Sequence, residues 1–439
     1  MKEKIIPQFL LAAPSSGSGK TLISSGLMAV LTRKGLCVQP YKCGPDYIDT
    51  KFHAAVCQRP SINLDGFLAS APHVQTLYAR YASQADVCIV EGMMGLFDGY
   101  DRDRGSSAEI AGLLGLPVVL VVDAKSAAYS LAPLLYGFLH FRPQTKIAGV
   151  LFNRVGSPQH YERLQEVCTD LALPCFGYLP YQEAFKQGSR YLGLDFRQAA
   201  DLARLDALTD LLEQHVDVDL LLARTLHPRP VLTETMPAAA SGKPLRIAVG
   251  RNSDAFSFVY EEHLALLHRL GTVTFFDPEH NETPFAPDID LLYLPGGYPE
   301  NHAEALANAL QVKAAIRAYV EAGGRVLAEC GGMMYLSQGW QAAGTFHEMA
   351  GVLPFAIATE KSQRRLSLGY RQFTLGGQAL RGHEFHYTQL EAHTALSSAA
   401  QVHDAKGRDV GTPVFRYKNV IASYTHLYWG EMNLMKLFE

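Results

Sequence analysis

Two α/β units in tandem, the first a mostly parallel, doubly wound sheet carrying a phosphate loop, are what this sequence predicts. Three observations carry that expectation. From Lys4 to about Pro180, short β-type runs alternate with helix-length segments, the pattern of a parallel sheet covered on both faces. The stretch Ala13-Pro14-Ser15-Ser16-Gly17-Ser18-Gly19-Lys20-Thr21 stands between an apolar run and a helix-like segment. A second α/β pattern starts at Arg246.

Size and composition agree with this. A chain of 439 residues exceeds one compact core and points to two or three domains. With 48% hydrophobic and 19% charged residues it reads as ordinary globular protein. A net charge of −4 without a basic block argues against nucleic acid as partner. No apolar run reaches the roughly 18 residues of a membrane span, and Met1-Lys2-Glu3-Lys4 leads straight into a strand, so a cytoplasmic protein with no membrane contact is expected. Seven cysteines without a Cys-x-x-Cys pair argue against a disulfide frame or structural zinc.

In the first unit the strands are expected at Phe9–Ala13, Leu36–Tyr41, Asp86–Val90, Pro117–Val122, Ile147–Phe152 and Cys175–Tyr178. After the first, Ser16, Gly17, Ser18 and Gly19 let backbone N–H groups close around phosphate oxygens, as in an ATP site. Lys20 adds charge, and Thr21 can hold magnesium at a helix N-terminus. The usual first glycine of such loops is replaced by Ala13-Pro14. Ligands of parallel sheets gather at the carboxyl ends of the strands. There the chain offers Lys42-Cys43-Gly44-Pro45-Asp46-Tyr47-Ile48-Asp49, then Glu91-Gly92-Met93-Met94-Gly95-Leu96-Phe97-Asp98-Gly99, then Asp123 and Asn153. Any one of these carboxylates alone reads as a cap or turn. Converging beside a phosphate loop, Thr21, Asp46 and Glu91 suit a magnesium ion carried with ATP.

The pattern changes between Asp201 and Leu245: a helical stretch to Arg224, then Thr225 to Pro230 and Thr233 to Lys243, rich in proline, alanine and small polar residues, reads as a linker. The expected division is 1–200, 201–243 and 244–439. In the last part, strands are expected at Arg246–Val249, Asp290–Leu294 and Arg325–Glu329. The third runs into Cys330-Gly331-Gly332, with Ala328 and Gly332 two residues to either side, the pattern of a nucleophile elbow. A helix N-terminus there is expected to lower the thiol pKa. His426, just after a strand, completes a Cys-His acyl-transfer pair, and Gly296 and Gly297, with Gly331, offer backbone N–H groups to an oxyanion.

The phosphate loop, Lys42 to Asp49, Asn63-Leu64-Asp65 and Val90 to Gly99 together resemble the cobyrinic acid a,c-diamide synthases, glutamine-dependent amidotransferases whose synthetase half is similar to dethiobiotin synthetase. The second half resembles the class I glutamine amidotransferase domain fused to such enzymes. The resemblance implies ATP, glutamine and a corrinoid or related tetrapyrrole as partners, with Mg2+. It places Lys20, Thr21, Asp46 and Glu91 at phosphates and metal, Tyr47, Asp49 and Asp98 at the substrate carboxylate, and Asn153 at the base. One departure is Tyr428, which stands where related triads carry the acid of His-x-Glu; Glu384 in Gly382-His383-Glu384-Phe385-His386 is a candidate orienter. His383 and His386, three apart, favour substrate contact or structure over a metal. Amidation of the a and c acetates of cobyrinic or hydrogenobyrinic acid through acyl phosphates is the expected reaction. Nickel sirohydrochlorin a,c-diamidation and cobyric acid synthesis keep the chemistry and change the substrate, whereas a partition-type ATPase leaves Cys330 and His426 unexplained. A homodimer is the assembly considered.

Overall fold

Strand β1 (Ile5–Ala12) is apolar along nearly its whole length because helices cover it on both sides. The computed structural model describes residues 4–185, 199–232, 243–360, 362, 365–391 and 396–439. It divides into two units, Met1–Thr235 and Met236–Glu439.

In the first unit β1 is joined by β2 (Val38–Cys43), β3 (Ile62–Leu64), β4 (Val87–Glu91), β5 (Val118–Asp123), β6 (Ile147–Val155) and β7 (Cys175–Pro180) in the order β3-β2-β4-β1-β5-β6-β7, every neighbouring pair parallel. Helix α1 (Lys20–Arg33) follows β1, and α2 (Asp49–Cys57) follows β2. The others are α3 (Ala71–Ala82), α4 (Ser107–Leu114), α5 (Leu131–Phe141), α6 (Pro158–Asp170), α7 (Ala199–His215) and α8 (Val218–Arg224). One face of the sheet packs Phe9, Leu11 and Val121 against Ile23 and Leu27 of α1 and Leu208 and Leu212 of α7. The other packs Leu120, Val122 and Phe152 against Leu131, Leu135 and Leu164. This is the predicted doubly wound sheet.

Two features differ from expectation. The 201–224 helices are part of this unit: Leu212 crowds Gly26 of α1, and Arg33 pairs with Asp206, Asp210 and Glu213. Leu226–Pro228, read as linker because its prolines break periodicity, forms β8, antiparallel to the start of β1, where the edge position tolerates Pro228. The remaining linker stretch, 233–242, lies outside the described residues.

The second unit has a sheet of β9 (Leu245–Gly250), β10 (Gly271–Phe276), β11 (Leu291–Leu294), β12 (Val326–Glu329), β20 (Val414–Tyr417) and β21 (Val420–Ser423), ordered β10-β9-β11-β12-β21-β20 and parallel except at β20. Its helices are α9 (Glu261–Leu270), α10 (Ala303–Asn308), α11 (Leu310–Glu321) and α12 (Gly331–Leu336). Two small sheets were not legible in advance: one of β14 (Thr345–Glu348), β13 (Gly339–Ala342), β15 (Ala356–Ala358) and β18 (Gln389–Leu390) in that order, and β19-β16-β17-β22. The latter joins β16 (Ser367–Leu375), β17 (Gln378–His386), β19 (His403–Asp404) and β22 (His426–Tyr428), and so carries His426. Among the described residues no helix is long and apolar enough to cross a membrane.

Candidate active site

The phosphate loop leaves β1 and closes on α1. Gly19 caps the helix at φ 92°, a left-handed conformation, and a Cβ there would stand 2.1 Å from Asn153 Nδ2. Ser18 Oγ bonds back to Ser15 O at 2.9 Å, while Ser16 is exposed. Lys20 Nζ donates to Met94 O at 2.5 Å, tying the loop to the segment after β4. Burial, and then Lys42, pull the Lys20 ammonium down to about 8.

Asn153 is 2% exposed, and its Nδ2 donates to Ser18 O at 2.8 Å. The amide expected at the base thus braces the phosphate loop from β6.

Thr21 Oγ1 lies 2.6 Å from Glu91 Oε1 and 3.3 Å from Asp49 Oδ2. Lys42 Nζ is 2.9 Å from each of the same two oxygens. Glu91 Oε2 also takes Ser24 Oγ and sits 2.8 Å from His53 Nε2. Burial would raise the Glu91 carboxyl, but Lys42, His53 and Ser24 outweigh it and hold it well below the usual range. Burial raises Asp49 to about 7, against the pull of Lys42.

Asp46, also expected at the metal, lies just before α2. Asp46 Oδ1 accepts from the amides of Ile48 (2.8 Å) and Asp49 (2.9 Å), opening α2, and its Oδ2 is 4.0 Å from Lys42. Asp49, one helical turn further, is the carboxylate that reaches Thr21. Asp98 Oδ2 accepts from Gly95 N at 2.8 Å, shaping the loop after β4. Tyr47 is largely buried. Lys42, Ser24 and His53 were missed: Lys42 opens the diagnostic block but reads as an ordinary strand lysine until its partners are placed, and the other two look like helix-face residues.

In the second unit β12 ends at Glu329, and Cys330 follows at φ 45°, ψ −104° as the cap of α12, the strained elbow the spacing predicted. Gly332 permits it: a Cβ there would stand 2.0 Å from Leu294 O. His426 comes from a different sheet, and Gly296 marks where the two meet. A Cβ on Gly296 would lie 2.2 Å from His426 Cε1 and 3.2 Å from Cys330 Cβ. The Gly296 carbonyl is taken by the amides of Ser257 and Phe258, both at 2.9 Å. Gly297 N lies 3.0 Å from the Cβ position of Gly331, so the three glycines line the elbow with backbone.

The electrostatics overturn one expectation. Burial pushes the Cys330 thiol up, and Glu300 adds to it, outweighing the Gly331 amide. A six-residue helix does not offset the desolvation of a thiolate. Burial, then His383 and His386, pull His426 down to about 3. The resting pair is therefore neutral thiol and neutral imidazole.

Glu384, the candidate orienter, is fully buried, with Oε2 2.5 Å from Arg371 Nη2. In β17 it is His383 that pairs with His426 across the sheet; Glu384, one residue on, has its Oε1 3.7 Å from His386 Nε2 and lies near enough to act on the charge of both His426 and Cys330. His386 stacks on Tyr424 at 3.7 Å, and Tyr428 sends its hydroxyl to Glu262.

A phosphate-loop nucleotide site and a cysteine–histidine site on one chain define a two-unit glutamine amidotransferase. Residues 9–192 match the family described as CobQ/CobB/MinD/ParA nucleotide binding domain, and residues 246–434 the CobB/CobQ-like glutamine amidotransferase domain. The chain is 41% identical over 433 residues, 95% of its own length and 98% of the relative's, to hydrogenobyrinate a,c-diamide synthase of Brucella abortus biovar 1. It is 42% identical to the protein of the same name from Rhodobacter capsulatus, over 96% of this chain and 98% of that one. Cobyrinate a,c-diamide synthase of Caldanaerobacter subterraneus subsp. tengcongensis is 37% identical, over 95% and 94%. The chain belongs to the hydrogenobyrinate/cobyrinate a,c-diamide synthase family, as its motifs implied.

Proposed function

We propose that this protein uses ATP and glutamine to convert the a and c acetate carboxylates of hydrogenobyrinic or cobyrinic acid to amides, in cobalamin biosynthesis. The observation that carries the reading is the presence of both half-sites on one chain: Thr21, Lys42, Asp49 and Glu91 at a phosphate loop, and Cys330 and His426 around Gly296. A carboxylate does not react with ammonia at neutral pH until it carries a leaving group, so one unit activates it and the other supplies the nitrogen.

In the second unit the Cys330 sulfur attacks the side-chain amide of glutamine while His426 takes the thiol proton. The oxyanion forms against the N–H groups of Gly297 and Gly331. His426 returns the proton to the departing nitrogen, ammonia leaves, and water cleaves the thioester to glutamate. In the first unit the backbone of Ser16 to Gly19 and the Lys20 ammonium bind the ATP phosphates. The substrate carboxylate takes the γ-phosphoryl group as ADP leaves, and ammonia then displaces phosphate, losing a proton, to give the amide. Tyr47, Asp49 and Asp98 border the place of that carboxylate.

Thr21, Glu91 and Asp49 are hard oxygen donors clustered at the loop, and they fit magnesium brought with the nucleotide. A magnesium ion brought with the nucleotide would be held largely by phosphates and water. When bound, it would neutralise charge on the transferred phosphoryl group.

The relatives named hydrogenobyrinate a,c-diamide synthase favour the metal-free ring, and the cobyrinate-named relative keeps the cobalt ring open. The test offers each acid with ATP, magnesium and glutamine and follows products by mass spectrometry. Two successive amide additions are expected. Cys330→Ala is expected to amidate with free ammonia but not with glutamine, and retention of glutamine use would overturn the cysteine assignment.

A further inference from the structure

The residue just before the nucleophile ties the two halves of the amidase pair together. Glu329 is 2% exposed at the end of β12. Its side chain leaves the strand on the side opposite to that of Cys330. Its Oε1 accepts the amide N–H of Leu427 at 3.2 Å, and its Oε2 accepts the Tyr293 hydroxyl at 2.8 Å. Leu427 follows His426 directly, so the bonded N–H belongs to the His426–Leu427 peptide. Pinning that peptide plane fixes ψ of His426 and, with it, the direction in which the imidazole leaves the chain.

The opposite side of the peptide is held too. The His426 carbonyl presses on Gly382 of β17, where a Cβ would stand 2.4 Å away. Beyond it, Trp429 stacks on the buried His263 ring at 3.7 Å and meets Tyr293 edge-on at 5.7 Å, and its amide donates to His263 Nε2 at 3.1 Å. Residues 427 to 429 therefore sit in a closed box whose polar floor is Glu329.

We propose that Glu329 is a positioning residue for glutamine hydrolysis, clamping the strand that carries His426 to the strand that carries Cys330 so that the two side chains meet across Gly296. The clamp does not touch glutamine. It sets the Cys330–His426 geometry by one side chain, through backbone, where a triad acid would act on the imidazole itself. A neutral or charged carboxyl can accept both bonds, and burial, which raises Glu329 to about 8, makes the neutral acid the form near pH 7. A buried anion one residue from a thiol would oppose thiolate formation, and the neutral acid avoids that.

The inference rests on Cys330 and His426 as the amidase pair, so Cys330→Ala is run alongside. The test measures glutamine-dependent and ammonia-dependent amidation by the full chain, with kcat and KM for glutamine, and the pH dependence of Cys330 alkylation by iodoacetamide. Glu329→Gln keeps the shape and one acceptor but turns an NH2 group toward a donor. It is expected to lower glutamine-dependent kcat by about tenfold or more, with little change in KM for glutamine and full ammonia-dependent activity. Alkylation of the variant should climb more steeply above pH 8 than that of the parent, in which ionised Glu329 opposes the thiolate. Tyr293→Phe, which removes one donor and no acceptor, should lower kcat in the same direction by a smaller factor and covers the case in which the Gln variant does not fold. Wild-type kcat in both variants overturns the proposal, as does a loss in which ammonia-dependent activity falls equally. If Cys330→Ala retains glutamine use, it is the pair itself that is misassigned.

Discussion

Lys42 and Glu91 form an ion pair with Nζ 2.9 Å from Oε1, both side chains almost wholly buried beneath the phosphate loop. The same ammonium contacts Asp49 at 2.9 Å, so one cation answers two carboxylates that also reach the Thr21 hydroxyl. Oxygens suited to magnesium are thereby held together, without mutual repulsion, before nucleotide arrives.

Removing that cation leaves two buried carboxylates without their shared partner. Breaking a buried pair from one side costs about 3–5 kcal/mol, since the remaining charge stays desolvated. Lys42→Met is accordingly expected to destabilise the first unit on that scale and to abolish amidation with either nitrogen source. Calorimetry of the full chain, with and without magnesium and ATP, checks it. The added cation should recover part of the loss, and an unchanged unfolding transition would show the pair to be idle.

Asn153 poses a sharper choice. Its amide is committed to Ser18 O at 2.8 Å, so Asn153→Ala loosens the loop that holds the phosphates. The KM for ATP and for GTP should both rise several-fold, leaving the preference between them unchanged. A selective loss of ATP preference would restore the base-reading role.

Much of this was legible because short segments carry it. The phosphate loop, the block from Lys42 to Asp49 and the Cys330 elbow each depend on local backbone, and local backbone is written in consecutive residues. What escaped detection depends on pairing between distant strands. That Asp49, and not Asp46, reaches the Thr21 hydroxyl emerges only when the first turn of α2 is set against α1. Glu384 neighbours His383 in sequence, but only the folded strands show its Oε2 paired with Arg371 and its charge within reach of His426. Glu329 was taken as the last residue of a strand, since nothing near it in sequence announces Tyr293 or Leu427. The expected low thiol pKa failed on magnitude: helix-end stabilisation is worth about 0.3–1 kcal/mol, less than the desolvation of a fully buried thiolate.

Gly296 is where the absence of a side chain matters most in the second unit. Gly296→Ala would place its methyl 2.2 Å from His426 Cε1 and 3.2 Å from Cys330 Cβ. The imidazole has to move, and displacements of about 1 Å commonly cost on the order of 100-fold in rate. Glutamine-supported amidation should fall by that order, while ammonia-supported amidation and nucleotide KM hold. Equal loss with both nitrogen sources would mean that the substitution unfolds the unit.

The resting state of the pair leads to the last expectation. Burial raises the Cys330 thiol above its ordinary 9.0, so near pH 7 the free enzyme carries almost no thiolate. His426, drawn down to about 3 from 6.5, is neutral throughout the working range and is ready to accept the proton once glutamine is in place. Alkylation of Cys330 by iodoacetamide should therefore be slow at pH 7 and climb through pH 9, with no thiolate plateau near neutrality. A plateau below pH 7 would mean a preformed thiolate–imidazolium pair. Stability carries the complementary sign. A histidine whose folded pKa is depressed stabilises the fold above 6.5, and that contribution is lost as pH falls toward 3, because the unfolded chain binds the proton first. His426→Gln should thus unfold less steeply with acid between pH 6.5 and 3 than the parent chain, while losing glutamine-dependent turnover. If its acid unfolding parallels the parent's, the imidazole is not held neutral by burial.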